Sequence, residues 1–166
     1  MRPSAMTSFA TALLAILLLV GSSTVAEAAT VNVSGTTLTT APGTCGDPIQ
    51  TGAVGRLECV GLQEVWAGDI SGTAVFDETV TLNFVSGRVG ISGTATFVGS
   101  VGGVSGTIEW AHQGSGRLDL QTLSVVFIDG EERIMGASGG LAGAHGSIRF
   151  SLIGEGPATY EGMIVR

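Results

Sequence analysis

Apolar and polar residues alternate along most of the chain beyond residue 28. Ile108, Trp110 and His112 share one face of such a segment, and Glu109 lies on the opposite face. A period of two is typical of β-strands that bury one face, and no helical period competes with it. The pattern predicts eight strands, near residues 29–39, 57–69, 71–85, 88–99, 102–113, 117–129, 146–153 and 157–165.

Clusters of glycine separate these strands. Turns are predicted at residues 98–103, 114–116 and 129–130, because glycine supports the tight backbone geometry that hairpins need. Eight antiparallel strands with short connections favour an all-β fold, a single eight-stranded antiparallel β-barrel. Closing the barrel removes the exposed edges of such a sheet. A two-sheet β-sandwich is the alternative.

The first 28 residues are typical of a secretion signal. Arg2 supplies positive charge, residues 9–20 are apolar, and Ala26-Glu27-Ala28 fits a cleavage site. The apolar run would make a helix of only ~18 Å, too short for the ~30 Å of bilayer hydrocarbon. The sequence therefore predicts a cleaved signal peptide at residues 1–28 and a β-barrel domain at 29–166. It predicts a secreted or periplasmic protein with no membrane insertion after cleavage.

Cys45 and Cys59 are the only cysteines, and they lie in a Gly/Pro-rich loop at about residues 40–59. In an oxidising compartment they are expected to form a disulfide with each other. Closing a loop of about 15 residues stabilises a fold by roughly 3 kcal/mol on the chain-entropy model. Two thiols with no nearby histidine are too few ligands for a structural zinc, so no metal and no cofactor are predicted.

Composition and charge narrow the set of partners. Glycine makes up 27 of 166 residues without a G-X-Y period, and the net charge is −7. An acidic protein cannot neutralise a run of phosphates, which argues against nucleic acid. It is equally unsuited to electrostatic docking on an anionic membrane. A small hydrophobic ligand and a second copy of the chain stay open as partners.

Two glycine-rich segments carry a family resemblance. Residues 136–150, GASGGLAGAHGSIRF, resemble the G-[ST]-G-x-[LF]-x-G-A-x-G segment of allene oxide cyclase-like barrels, which dirigent proteins carry in variant form. Residues 102–114 resemble the strand of those barrels that ends in His-x-Gly, and small bacterial barrels of unknown function share the pattern. The resemblance spans roughly residues 64–166. It implies an eight-stranded barrel with a central cavity, whose enzymatic members steer cyclisation of a bound reactive substrate. No catalytic residue matches position by position.

The candidate ligand-binding residues are Trp66, Trp110 and His112. His112 follows Ile108 and Trp110 on the predicted inward face, and histidine titrates near neutral pH. The tryptophans are predicted either to fill the barrel or to line a cavity, because an eight-stranded barrel is just wide enough for one small ligand. His145 is interpreted as a turn or exposed residue.

The carboxylates give no catalytic pattern. Asp77-Glu78 and Glu131-Glu132 are adjacent pairs, and neighbours on a strand point to opposite faces. Both pairs are interpreted as solvated turns, and Glu109 as an outward-facing surface residue. Motifs for a serine nucleophile or a zinc protease are absent from the sequence, so no catalytic residues are assigned.

Three functions stay open at this point. The leading hypothesis is a secreted, non-enzymatic β-barrel that binds a small apolar or amphipathic ligand in its interior. The second is a cyclase or isomerase acting on a reactive hydrophobic substrate, with His112 or Glu109 as a polar aid. The third is a structural or interaction protein with a filled barrel. A cavity inside the barrel would favour the first two over the third.

Overall fold

The computed structural model describes residues 28–166, which form ten β-strands and contain no helix that could cross a membrane. The predicted signal peptide lies outside the described residues, except for its last residue, Ala28. The strands are β1 (Thr30–Ala41), β2 (Thr44–Cys45), β3 (Ile49–Thr51), β4 (Val54–Gly68), β5 (Ile70–Asn83), β6 (Arg88–Val101), β7 (Val104–Leu118), β8 (Val125–Gly139), β9 (His145–Ile153) and β10 (Ala158–Val165).

Eight of the strands hydrogen-bond in a closed ring. From β4 to β10 each strand pairs antiparallel with the next along the chain, β10 pairs with β1, and β1 pairs with β4. The short strands β2 and β3 pair only with β4 and extend the sheet at one edge of the ring. The predicted all-β fold of eight antiparallel strands is confirmed. Ring closure also satisfies the backbone groups that an open sheet would leave unpaired.

A one-residue bulge in β4 sets which side chains point inward. The pairing with β5 shifts register between Val60 and Leu62, and the backbone N–H of Gly61 donates a hydrogen bond of 2.9 Å to Asp77 Oδ1. An extra residue reverses the alternation of faces along a strand. As a result, Cys59 and Trp66 are both buried although one is odd-numbered and the other even-numbered.

Two of the predicted turns and one predicted strand are wrong. Residues 114–116 and 129–130 lie inside β7 and β8, and the connection between these strands is residues 119–124. The predicted strand 117–129 therefore spans a turn, and the second half of β8 was not predicted. These strand glycines make room for large neighbours: a Cβ on Gly130 would collide with the ring of Phe150, and one on Gly114 would lie 3.0 Å from Ile91 Cγ1.

The interior of the ring has two different ends. At the end near Asp69 and residues 102–103 and 140–144, apolar side chains fill the space, and we call it the packed end. Its fully buried side chains include Ile70, Val101, Ile108, Leu141 and Ile164. The opposite end, which we call the cavity end, is bordered by the connections 42–53, 84–87, 119–124 and 154–157.

The predicted disulfide is present at the cavity end. Cys45 and Cys59 lie directly opposite each other in the β2–β4 pair, and their sulfurs are bonded. Cys59 is in turn the cross-strand partner of Glu78 on β5. The disulfide thus ties the connection after β1 to the strand pair that borders the cavity.

Candidate functional site

A cavity of about 300 Å³ occupies the ring interior toward the cavity end. This volume is at the lower end of the range of about 300–1,000 Å³ for small-molecule sites. Most of its wall is apolar, and no arginine lines it. The lining side chains belong to Thr37, Thr39, Leu62, Glu64, Trp66, Phe76, Glu78, Val80, Val89, Ile91, His112, Leu118, Val125, Ile128, Glu132, Phe150, Leu152 and Ala158.

An aromatic layer separates the cavity from the packed end. The ring of Trp66, which lines the cavity, stacks on Trp110 with centroids 6.2 Å apart and an interplanar angle of 7°. Tyr160 packs against Trp66 at 5.0 Å. The hydroxyl of Tyr160 donates to the carbonyl oxygen of Ile70 at 3.0 Å and accepts from its N–H at 2.9 Å. Trp110 and Tyr160 therefore fix the position of Trp66, which closes the cavity on the side of the packed end.

His112 lies between two carboxyl groups from other strands. Its Nδ1 is 3.6 Å from Glu132 Oε1 on β8, and its Nε2 is 3.7 Å from Glu78 Oε2 on β5. These distances are longer than hydrogen bonds, so the contacts are electrostatic. Gly93 on β6 provides the space for the imidazole, because a Cβ there would lie 2.9 Å from His112 Nε2.

Glu64 on β4 is a third carboxyl group in the same cavity. Burial, together with the negative charge of Glu132, raises its pKa from 4.5 to about 7, while the Thr37 hydroxyl acts in the opposite direction. Near neutral pH this group therefore exchanges between its neutral and charged forms. A carboxyl group with such a pKa in a cleft is a candidate for binding or proton transfer.

The other members of the cluster also have shifted pKa values. Burial raises the pKa of Glu78 and of Glu132, and the neighbouring His112 partly offsets both shifts. For His112, burial lowers the pKa, but Glu132, Glu78 and Glu64 together outweigh it and the net shift is upward. Each carboxylate thus stabilises the imidazolium, while the apolar wall disfavours every charge in the cavity.

The structure brings two of the three predicted ligand-binding residues to the cavity. Trp66 and His112 line it, whereas Trp110 is 1 % exposed and lies behind Trp66. A binding role for these side chains stays a prediction. Glu109 is exposed on the outer face, as predicted. His145 is also exposed, with Nδ1 3.2 Å from the carbonyl oxygen of Gly143.

The prediction that both acidic pairs lie in solvated turns is wrong. Asp77-Glu78 lies within β5 and Glu131-Glu132 within β8, and in each pair the second residue points into the cavity. The signal was present in the sequence, because Glu78 alternates with Phe76 on an apolar face. Glu64 was missed in the same way, two residues before Trp66.

The cluster combines three carboxyl groups and one imidazole in a mostly apolar wall. Such a set can transfer a proton, or it can bind a group that carries a positive charge or hydrogen-bond donors. Within residues 28–166, no three His, Cys, Asp or Glu side chains are arranged to hold a metal ion. The positions of the three carboxyl groups and the imidazole support binding or acid–base chemistry.

Comparison with known proteins gives a family and a fold. Residues 26–162 match a family described as protein of unknown function (DUF3224). The chain is similar to a DUF3224 protein of unknown function from Shewanella oneidensis MR-1, with 20% sequence identity and a TM-score of 0.55. That match covers 83% of this chain and 96% of the other. No curated protein matches the sequence. Nothing in these comparisons links the chain to allene oxide cyclases or dirigent proteins, so that part of the expected resemblance has no support.

Proposed function

The chain belongs to the DUF3224 family of proteins of unknown function, and we propose that it binds a small apolar or amphipathic molecule inside the ring. The single observation that carries this proposal is the cavity of about 300 Å³ at the cavity end. Natural protein interiors contain few voids larger than a water molecule. A cavity of this size, with apolar walls and a few convergent polar groups, is typical of a ligand site.

The burial of the wall supports access from the cavity end. Leu62, Val80 and Leu152 line the cavity and remain partly exposed, whereas the side chains of the packed end are sealed from solvent. A ligand would therefore place its apolar body against these side chains and the ring of Trp66. Its polar end would meet the carboxyl and imidazole groups. This arrangement also argues against the third hypothesis, a filled interior.

A matched pair of substitutions on β5 tests the proposal. Val80 faces the cavity and Val75 faces outward with 45% exposure. We expect Val80→Phe to weaken binding of 2-phenylethanol, a small amphipathic probe, by about tenfold or more, because the added ring occupies the same space. Val75→Phe is the control and should bind like the unmodified protein.

Titration calorimetry, with tryptophan fluorescence as a second readout, measures these affinities. Circular dichroism establishes that both variants fold. Equal binding by the two variants would place the probe outside the cavity and contradict the proposal. The proposal would also be contradicted if the unmodified protein bound neither 2-phenylethanol nor 1-hexanol.

A second candidate is an isomerase or cyclase acting on a hydrophobic substrate in the same cavity. It is favoured by His112, whose two ring nitrogens face Glu132 and Glu78. A group in this position could remove a proton from one carbon of a bound molecule and return it to another. Glu109 is no longer a candidate for this role, because it lies on the outer face.

Cyclohex-3-enone is a suitable probe for this candidate, since moving one proton converts it to the conjugated enone, which absorbs in the ultraviolet. Enzymatic conversion that is lost in His112→Ala and kept in Glu109→Ala would support an isomerase. Equal rates with and without the protein would leave binding as the function.

We also propose that the protein is exported to a secreted or periplasmic location. The Cys45–Cys59 disulfide supports this, because structural disulfides persist in oxidising compartments. The mass of the protein recovered from outside the cytoplasm of its host tests the proposal. Cleavage after Ala28 with both cysteines oxidised is expected, and recovery of the uncleaved chain from the cytoplasm would contradict it.

A further inference from the structure

The charges that line the cavity are unbalanced. Glu64, Glu78 and Glu132 face it from three different strands, and His112 is the one basic side chain among the lining residues. A protonated His112 neutralises the charge of one carboxylate. When the three carboxyl groups are ionised, the cavity has an excess of two negative charges, and burial makes such an excess costly unless a proton or another positive group neutralises it.

One of these carboxyl groups is sealed and incompletely paired. Glu132 is 3 % exposed, its Oε1 faces His112 Nδ1 at 3.6 Å, and its Oε2 has no hydrogen-bond partner among the described residues. Leaving a buried acceptor unpaired costs free energy, and a ligand that donates to it recovers that cost. A ligand that donates a hydrogen bond would pair this acceptor, and a positively charged donor would also correct the charge balance.

We propose that the ligand of this cavity carries a protonated amine on a small apolar or aromatic body. This inference rests on the proposed binding function and assigns the chemical class of the molecule bound. The ammonium group lies among the carboxyl groups of Glu64, Glu78 and Glu132. The body lies against the apolar wall.

The aromatic side chains around the cluster agree with a cationic ligand. Trp66, Phe76 and Phe150 all line the cavity, and the ring of Phe76 lies 5.1 Å from that of His112. The faces of aromatic rings attract ammonium groups, with tryptophan the strongest. An anionic ligand would instead meet three carboxyl groups and no arginine. The lining of the cavity therefore favours a positively charged ligand over a negatively charged one.

Three probes that share an aromatic body and differ in charge test the inference. These are 2-phenylethylamine, 2-phenylethanol and phenylacetate, titrated into the oxidised protein by calorimetry at pH 8. We expect the amine to bind about tenfold or more tightly than the alcohol, since hydrogen bonds to charged groups are stronger than neutral ones. Phenylacetate should show the weakest binding.

The neighbouring residues Glu131 and Glu132 provide matched variants, because only Glu132 points into the cavity. Glu132→Gln should weaken binding of the amine by about tenfold and change binding of the alcohol by about twofold or less. Glu131→Gln removes the same charge one residue away and should change neither affinity. If Glu132→Gln does not fold, Glu64→Gln, at a partly exposed position, gives the same comparison.

The outcomes separate the two proposals. Equal binding of amine and alcohol, or preference for phenylacetate, overturns the inference about the amine and leaves the cavity as a ligand site. Equal loss of amine binding in the Glu131 and Glu132 variants also overturns it, because the effect would then come from the overall charge. Binding of none of the three probes overturns the inference about the amine, and absence of 1-hexanol binding as well overturns both proposals.

Discussion

The packed end and the cavity end of the ring are built from the same strands but satisfy different requirements. At the packed end, Ile70, Ile108 and Ile164 are fully sealed from solvent, whereas the buried polar or charged side chains of the described residues, Thr37, His112 and Glu132, all line the cavity. At the cavity end, the same strand β7 presents His112 beside Glu132 and an unfilled volume. The packed end therefore supplies the stability that allows the cavity end to contain buried charge and empty space.

The largest expected effect comes from truncating the same residue type at each end. Phe97 at the packed side is fully buried, whereas Phe150 is partly buried and lines the cavity. Phe97→Ala should lower the free energy of unfolding by about 3–5 kcal/mol, because it leaves a new void in a filled core. Phe150→Ala should cost about 1–2 kcal/mol, since less apolar surface is lost.

Urea denaturation followed by circular dichroism measures both values. Equal losses would show that the two ends contribute equally to stability. This result would contradict the conclusion that the packed end supplies most of it. A larger loss for Phe150→Ala than for Phe97→Ala would mean that the cavity end contributes more to stability than the packed end.

The second prediction concerns pH. The pKa of Glu64 rises from 4.5 to about 7 on folding, so between these values the folded state binds more protons than the unfolded state. The contribution of Glu64 to stability should therefore fall as pH increases through this window and level off above it. The upward pKa shifts of Glu78, Glu132 and His112 act in the same direction.

Glu64→Gln removes the ionisation of this one group. Because the side chain is partly exposed and screened by solvent, we expect the variant to be about 1–2 kcal/mol more stable relative to the unmodified protein at pH 8 than at pH 4.5. Denaturation at the two pH values gives the difference, and Glu109→Gln, an exposed carboxylate, is the control. A difference of zero would mean that Glu64 ionises with an ordinary pKa.

The smallest effect is expected at the border of the cavity. Gly156 lies in the connection between β9 and β10, and a Cβ there would meet no atom within 4 Å. Gly156→Ala should change the free energy of unfolding by about 0.5 kcal/mol or less. Gly93→Ala is the contrasting variant, because its Cβ would collide with the Asp77 carbonyl oxygen and approach His112. Thermal unfolding compares the two variants. Equal losses of stability would contradict the prediction that a side chain is tolerated at Gly156 but not at Gly93.

The sequence predicted the faces of the strands better than their ends. Alternation placed His112 inward and Glu109 outward, because each position follows from its neighbours two residues away. Glycines within β7 and β8 were interpreted as turns, because composition does not distinguish a glycine in a hairpin from one beneath an aromatic ring. Only the pairing of β8 with β9 places Phe150 over Gly130.

The candidate site was harder to predict because its members are distant in the chain. Glu64, Glu78, His112 and Glu132 come from four strands, and their meeting depends on register and on the bulge at Gly61. Two adjacent acidic residues are also typical of a solvated turn. On a strand, however, they point to opposite faces, and one of them can point inward. Neither the register nor the bulge can be derived from local composition.

The unequal connections at the two ends have a consequence for how this family can diversify. The packed end is joined by Asp69 and by residues 102–103 and 140–144, whereas the two longest connections, 42–53 and 119–124, border the cavity. On the proposed binding function, insertions and substitutions in these segments, away from β2, β3 and Cys45, would alter what enters without changing the side chains that fill the packed end. If the cavity binds a ligand as proposed, selection could act on ligand preference and on foldability almost independently, and related proteins with different ligands could share one architecture.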